Sequence, residues 1–344
     1  MKRINYIVFF VLLTHVTVAQ DPIFSQFFQA PLYLNPGFTG LTPQQRLVLN
    51  NRIQWPGLPQ AFTTYALSYD VRLDELNSGL GALLTTDRIG SANWYTTNLT
   101  LFYSYSIRLS KKMVLSPGAS YGYGINGLDR TKLILGDEIE FNSGGQVQSL
   151  DPALSRLGND QYADFSSGLV LYTKVWWVGL SFNHINQPNL SIINTVTHLP
   201  MKITFTTGAR LAIKSKRKVD KHTYLTPSFI FQKQATFTQL TIGVNYHIDP
   251  IFIGVSYRGK PYEKNQLGLA SQDAMIFQFG LLFKNFVFSY SYDFNVSALA
   301  NVSGGAHEVA VSYVFQTKLS VPKNKKRSGI IPCPTGVQKS GLFK

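Results

Sequence analysis

From Gln44 to Gln316 the chain alternates apolar and polar residues with a period of two, in short runs separated by breaks. Leu99, Leu101, Tyr103, Tyr105, Ile107 and Leu109 fall on one face of an extended run, and Thr100, Ser104, Ser106 and Arg108 fall on the other. The same dyad returns at Phe286, Phe288, Tyr290 and Tyr292, and again at Val309, Val311, Tyr313 and Phe315. Successive side chains of a strand point to opposite faces, so a dyad lasting almost the whole chain specifies an all-β fold.

The amino-terminal end says where that fold is placed. Lys2 and Arg3 precede an apolar run, Ile4–Val18, interrupted only by Asn5, Thr14, His15 and Thr17, and Thr17-Val18-Ala19 is a small-residue cleavage site. This pattern predicts a secretory signal over 1–19, cut between Ala19 and Gln20. The run is shorter than the ~20 residues a helical span needs, and no later segment supplies such a span. One cysteine, Cys333, in 344 residues excludes a disulfide framework. An exported chain without disulfides needs a large burial term from elsewhere. A closed barrel supplies it by facing lipid and removing every sheet edge. With aromatic residues on its outer faces, the chain is expected to form a transmembrane antiparallel β-barrel in the outer membrane.

About 14 strands are predicted, starting near residues 44, 61, 78, 95, 112, 163, 175, 202, 223, 236, 250, 273, 285 and 305. An even number puts both ends of the barrel chain in the periplasm. Connections after odd strands then face outside: Asn126–Tyr162, His184–Met201, Gly259–Gln272 and Phe294–Gly304, all long. Those after even strands are tight, at Ser110–Lys112, Lys174, His247–Pro250 and Lys284, and the alternation is expected to be strict. Trp55 and Trp94 fall near outer strand ends and Trp176 and Trp177 beside a periplasmic turn, where aromatic belts are expected. Gly118, Gly122 and Gly124 share the inner face of the fifth strand and leave room for bulky neighbours, a plug or a ligand.

The formal charge is +14, and it is concentrated. Gln316–Lys344 holds seven basic and no acidic residues, and Lys214–His222 holds five basic and one acidic. The remainder is nearly neutral, which is not the continuous basic face of a nucleic-acid binder. Both basic segments fall on the periplasmic side. Lys214, Lys216, Arg217, Lys218, Lys323, Lys325, Lys326 and Arg327 are therefore expected to dock a periplasmic partner through salt-sensitive contacts. The organisation read from the sequence is a signal peptide (1–19), an N-terminal plug segment (20–43), an outer-membrane barrel (44–316) and a basic periplasmic tail (317–344).

The stretch Asp21-Pro-Ile-Phe-Ser-Gln to Asn35-Pro-Gly-Phe-Thr-Gly40 is too apolar for a disordered leader and too proline-rich for a strand. A plug inside the barrel is the economical place for its apolar groups, with Asn35-Pro36-Gly37 as a turn. Asp21, Pro22, Phe24, Ser25, Gln26, Asn35, Pro36 and Gly40 match the opening of the PorP/SprF-type outer-membrane proteins of type IX secretion in Bacteroidetes, which the chain resembles. Ser68-Tyr69-Asp70 with Arg72, Gly79-Leu80-Gly81, Asp87-Arg88-Ile89-Gly90, Ser291-Tyr292-Asp293, Gly304-Gly305-Ala306-His307-Glu308 and Cys333-Pro334 look like further blocks of that family in the same order. The resemblance implies a non-enzymatic component of type IX secretion or gliding. Its partners would be periplasmic secretion or motor components, a secreted adhesin, and outer-membrane lipid.

Catalytic chemistry finds little support. His184, His198, His222, His247 and His307 form no metal-ligand spacing. His307 and Glu308 are adjacent and so lie on opposite faces, and a solvated pair at a loop end is the plain reading of them. There is no Gly-x-Ser-x-Gly elbow, and Gly122-Tyr-Gly-Ile-Asn-Gly127 lacks the Lys-Ser/Thr of a phosphate loop. Asp87, Arg88, Asp129, Arg130, Asp137 and Glu138 could meet at the outer rim. Asp137, Glu138 and Glu140 read as a solvated acidic loop rather than a calcium site. No cofactor is expected. Lipid-facing charge costs ~2–4 kcal/mol at mid-membrane, so Arg46, Arg52, Asp70, Arg72 and Arg108 point inward or lie at the interface. Inward Arg–Asp pairs either hold the plug or make a generic polar lumen. The competing function is a transport barrel for hydrophobic or small solutes, like the fatty-acid transporters, which would show an apolar pocket in the lumen.

Overall fold

The computed structural model describes residues 21–42, 45–58, 61–90, 94–129, 159–191, 196–213, 223–264, 270–296 and 303–315. Fourteen long strands carry the fold: β1 Gln45–Gln54, β2 Phe62–Leu73, β3 Ser78–Ile89, β4 Trp94–Tyr105, β5 Val114–Gly127, β6 Asp160–Tyr172, β7 Trp176–Asn183, β8 Lys202–Ala209, β9 Tyr224–Gln234, β10 Phe237–Ile248, β11 Ile251–Lys264, β12 Ala270–Phe283, β13 Phe286–Asn295 and β14 Ala306–Phe315. Two short pieces, Ile107–Arg108 and Leu211–Ala212, continue β4 and β8 in the same register. Each strand pairs antiparallel with the next, and β14 closes on β1 from Gln45↔Phe315 to Gln54↔Ala306. Closure leaves no edge, so the long strands satisfy their backbone groups within the sheet, as lipid requires.

All 14 strands start within three residues of the expected positions. The dyad is strong because each strand has lipid on one side and a filled interior on the other. Leu99, Leu101 and Tyr103 are 51–57 % exposed on the outside. Asn50, Ser68, Ser104, Ser116 and Ser181 are buried on the inside. Arg46, Arg52, Asp70 and Arg72 all point inward and are buried, whereas Arg108 is exposed beside the turn and donates to the Ser110 carbonyl.

Two expectations are corrected. Connection lengths do not alternate strictly, because β9 and β10 are joined at the outer end by Ala235 and Thr236 alone. Ala235 takes φ +50°, the left-handed geometry a two-residue hairpin uses. Trp177 does not join an aromatic belt. Trp176 faces outward, so its neighbour must face inward, and Trp177 is 1 % exposed against the ring of Phe28 at 6.2 Å.

Candidate functional site

The inside of the barrel holds the segment Asp21–Leu41. Pro31 and Pro36 each open a short helical turn, Pro31–Leu34 and Pro36–Phe38, where their missing N–H groups cost nothing. Asn35 caps the second turn by accepting from the Gly37 N–H at 2.7 Å. Its amide then donates to the carbonyls of Leu169 and Leu180 at 3.2 and 3.1 Å, tying the segment to β6 and β7. Phe27, Phe28, Leu34, Phe38 and Leu41 pack with Val114, Val170, Tyr172, Trp177 and Ile230 of the wall. Phe24, Ala30 and Leu32 pack with Ala66, Leu83 and Phe102. Each buried large side chain stabilises this docking by ~1.5–3 kcal/mol.

The wall is shaped for the segment. A Cβ on Gly118 would lie 2.5 Å from the Pro36 backbone carbonyl, and one on Gly168 would lie 2.0 Å from Asn35 Oδ1. Gly118 is one of the three glycines that the sequence places on the inner face of β5. It brings the strand backbone against the Asn35-Pro36-Gly37 turn.

Charge fixes the segment at three places. Near the periplasmic end, Arg46 pairs with Asp70 at 2.9 Å. Asp70 also accepts from the Gly40 N–H, and Arg72 donates to the Gly40 carbonyl. Toward the outer end, Arg52 pairs with Asp293 at 2.8 Å and with Glu308 at 3.3 Å, and Arg258 pairs with Asp293 at 2.9 Å. Ser25 sits among them. Its hydroxyl donates to Asp293 and accepts from both arginines, and its N–H donates to Glu308. The Gln26 N–H and amide bind the Glu308 carboxylate and carbonyl. Ser25 and Gln26 therefore complete, by hydrogen bonding, the polar surroundings of ion pairs held in a dry interior.

At the outer end Asp21 meets His184 at 2.9 Å and also Lys202, while His184 Nδ1 lies 3.0 Å from Asp164. Burial alone would raise the Asp21 carboxyl, but His184 and Lys202 outweigh it and hold it well below its ordinary range. Burial likewise disfavours the charged His184 ring, yet Asp21 and Asp164 push it up to about 9. The His184 contribution to stability is complete below its ordinary 6.5 and is lost as pH rises through about 9. The Asp21 contribution is present above its ordinary 3.8 and is lost as pH falls through its depressed value. The melting midpoint of the detergent-solubilised protein should therefore fall as pH rises through about 9, and Asp21→Asn should flatten that fall. An unchanged alkaline slope in Asp21→Asn would rule the linkage out.

Above the segment lies a cavity of about 560 Å³, lined on one side by Asp21, Leu32 and Tyr33 and on the other by inner residues of β3, β4 and β6 and by His184, Leu190 and Leu199. Trp94, expected in an aromatic belt, is instead on the inner face of β4, with Thr96, Thr100 and Phe102, and faces this cavity.

The family-motif residues Asp21, Ser25, Gln26, Asn35, Pro36 and Gly40 thus make the polar and close contacts of the segment, while Phe24 packs at 5.1 Å on Tyr33, whose hydroxyl donates to the Pro22 carbonyl. Glu308 is no solvated loop-end residue: it is fully buried inside, whereas His307 lies outside against the Tyr290 hydroxyl at 2.8 Å. Arg258, Asp293 and Lys202, and the pairing of His184, were not assigned to the plug from sequence. Glu308 had a readable signal, since closure of β14 on β1 sets it opposite Arg52. Asp87 and Arg88 point to opposite faces, so they do not gather at the rim. Ala19, Gln20, Arg130, Asp137, Glu138, Glu140, Lys214, Lys216, Arg217, Lys218, Lys323, Lys325, Lys326, Arg327 and Cys333 lie outside the described residues.

Residues 16–313 match the family described as type IX secretion system membrane protein PorP/SprF. No curated protein matches the chain. Among solved structures, a monoaromatic hydrocarbon channel, the TodX deltaS2S3 mutant, is similar at 12% identity and TM-score 0.51, covering 84% of this chain and 94% of that one. The P. putida toluene transporter TodX is similar at 11% identity and TM-score 0.48, covering 82% and 93%. At such identities the first likeness speaks for the barrel fold alone, which is that of outer-membrane proteins.

Proposed function

The chain belongs to the PorP/SprF family of type IX secretion system membrane proteins, and on that premise we propose that it is a non-enzymatic outer-membrane component of type IX protein secretion and gliding. The observation that supports this reading is the lumen, which Asp21–Leu41 fills and ties to the wall at Asp70, at Asp293 with Glu308, and at His184 with Lys202. A barrel packed in this way offers surfaces rather than a path. In this reading the leader 1–19 is removed, residues 20–43 act as the plug, and the long outer connections after β5 and β7 engage a secreted adhesin. The basic segments Lys214–His222 and 317–344 dock periplasmic ring or motor proteins.

A pull-down from solubilised outer membranes tests it, comparing the full chain with one ending at Ser320. Periplasmic components should co-purify only with the full chain, and their absence from both would remove the docking role. Charge reversal at Lys216, Arg217 and Lys218 should weaken the association, most strongly at low salt. Survival of the complex at both low and high salt would contradict docking by that turn.

The cavity favours a second reading, a channel for hydrophobic or small solutes. Solute uptake by cells carrying or lacking the protein separates the two: equal uptake removes the channel, and loss of uptake with intact secretion removes the secretion role.

A further inference from the structure

The cavity above the segment has a volume of about 560 Å³, inside the roughly 300–1,000 Å³ typical of small-molecule sites. It lies under the outer connection, which contributes His184, Leu190, Thr197 and Leu199. Most of its exposed wall is apolar, with Leu83, Trp94, Phe102 and Tyr162 facing inward from β3, β4 and β6, and Thr85, Thr96 and Asn98 interspersed among them.

The charges around it do not cancel. Asp21 and Asp164 are balanced by His184 and Lys202 through direct contacts. The high affinity of His184 for its proton keeps that balance at neutral pH. Asp87 is the fifth charged residue on the wall. It accepts from the Thr64 hydroxyl at 2.6 Å, and among the described residues no cation pairs with it. Nothing in the docking of the segment uses it. A carboxylate held by a hydroxyl and by no cation, in a chamber whose exposed wall is mostly apolar, favours a cation that brings its own apolar body. Trp94 and Tyr162 line the same cavity, and an ammonium group is attracted to aromatic rings.

We propose that this cavity is a binding site for a small molecule made of an aromatic or alicyclic body and a protonated amine, with the amine at Asp87 and the body against Leu83, Trp94 and Phe102. Binding of this kind does not depend on whether a solute crosses the barrel, so equilibrium binding and uptake fail separately.

The test uses the full chain in lipid nanodiscs, with empty nanodiscs as the blank and titration calorimetry as the readout. The probes are 2-phenylethylamine, its neutral counterpart 2-phenylethanol, and the anion 3-phenylpropanoate. A charged hydrogen bond exceeds a neutral one by enough that the amine should bind about ten-fold tighter than the alcohol, and the anion weakest. Asp87→Asn should bring amine and alcohol to the same affinity. Thr96→Phe, which narrows the cavity opposite Asp87 and keeps the carboxylate, should weaken both in a chain with an unchanged β spectrum. Equal affinity for the three probes, or binding of none of them, overturns the proposal, as does an amine preference that persists in Asp87→Asn.

Discussion

Arg52→Ala should cost about 3–5 kcal/mol of stability, the range for removing one partner from a buried ion pair. Arg52 is 2 % exposed and contacts Asp293, Glu308 and the Ser25 hydroxyl. Without it, Glu308 loses its ion-pair partner and Asp293 keeps Arg258 alone, both carboxylates being buried. The loss should extend beyond the wall, because Ser25 and Gln26 bind those same carboxylates. Urea unfolding in detergent measures the stability, and protease cutting between Asp21 and Leu41 measures release of the segment. The double change Arg52→Ala with Glu308→Ala should recover part of the loss, since neighbours in one network are not additive. Stability within 1 kcal/mol of the wild type in Arg52→Ala would contradict the cluster's role.

Gly118→Val should push the Asn35-Pro36-Gly37 turn off the wall while leaving the barrel folded. Its Cβ would lie 2.5 Å from both the carbonyl carbon and oxygen of Pro36, which are backbone atoms held by the Asn35 cap. Overpacking alone costs ~1–3 kcal/mol, and the displaced turn also gives up its bonds to Leu169 and Leu180. The outer face of β5 is untouched, so strand pairing should persist, read as an unchanged β spectrum. Residues 34–41, around the displaced turn, should become open to protease. Gly122→Val, on the same inner face, would bring its Cβ to 3.1 Å of the Thr100 hydroxyl and no closer to any segment atom, and it should leave the segment seated. Equal protection of the segment in both variants would mean that Gly118 is not what admits the turn.

The strands were legible in the sequence because lipid and lumen impose opposite preferences at every step, so the dyad survives at positions such as Leu99–Leu109 and Phe286–Tyr292. The inward charges were legible as inward, since Arg46, Arg52, Asp70 and Arg72 could not face lipid. Their partners were less so. Ser25, Arg258, Asp293 and Glu308 are separated by as many as 283 residues, and only the closing register of β14 on β1 brings Glu308 opposite Arg52. The Ala235–Thr236 turn was missed because loop length does not report which end of a barrel a hairpin occupies. Trp177 and Trp94 are not in the belts because the dyad, applied residue by residue, turns both inward, while composition alone reads all tryptophans near strand ends as belt residues. The pairing of Asp21 with His184 and Lys202 carried no local signal, because His184 and Lys202 come from a loop and a strand start that fold over the end of the segment.

Planar-bilayer conductance of the purified full chain tests most directly whether Asp21–Leu41 closes the barrel. The wild type should give no steady channel, and a chain lacking Asp21–Leu41 should give one. A wild-type channel as large and as steady as that of the chain lacking Asp21–Leu41 would contradict the closed lumen on which the secretion reading rests.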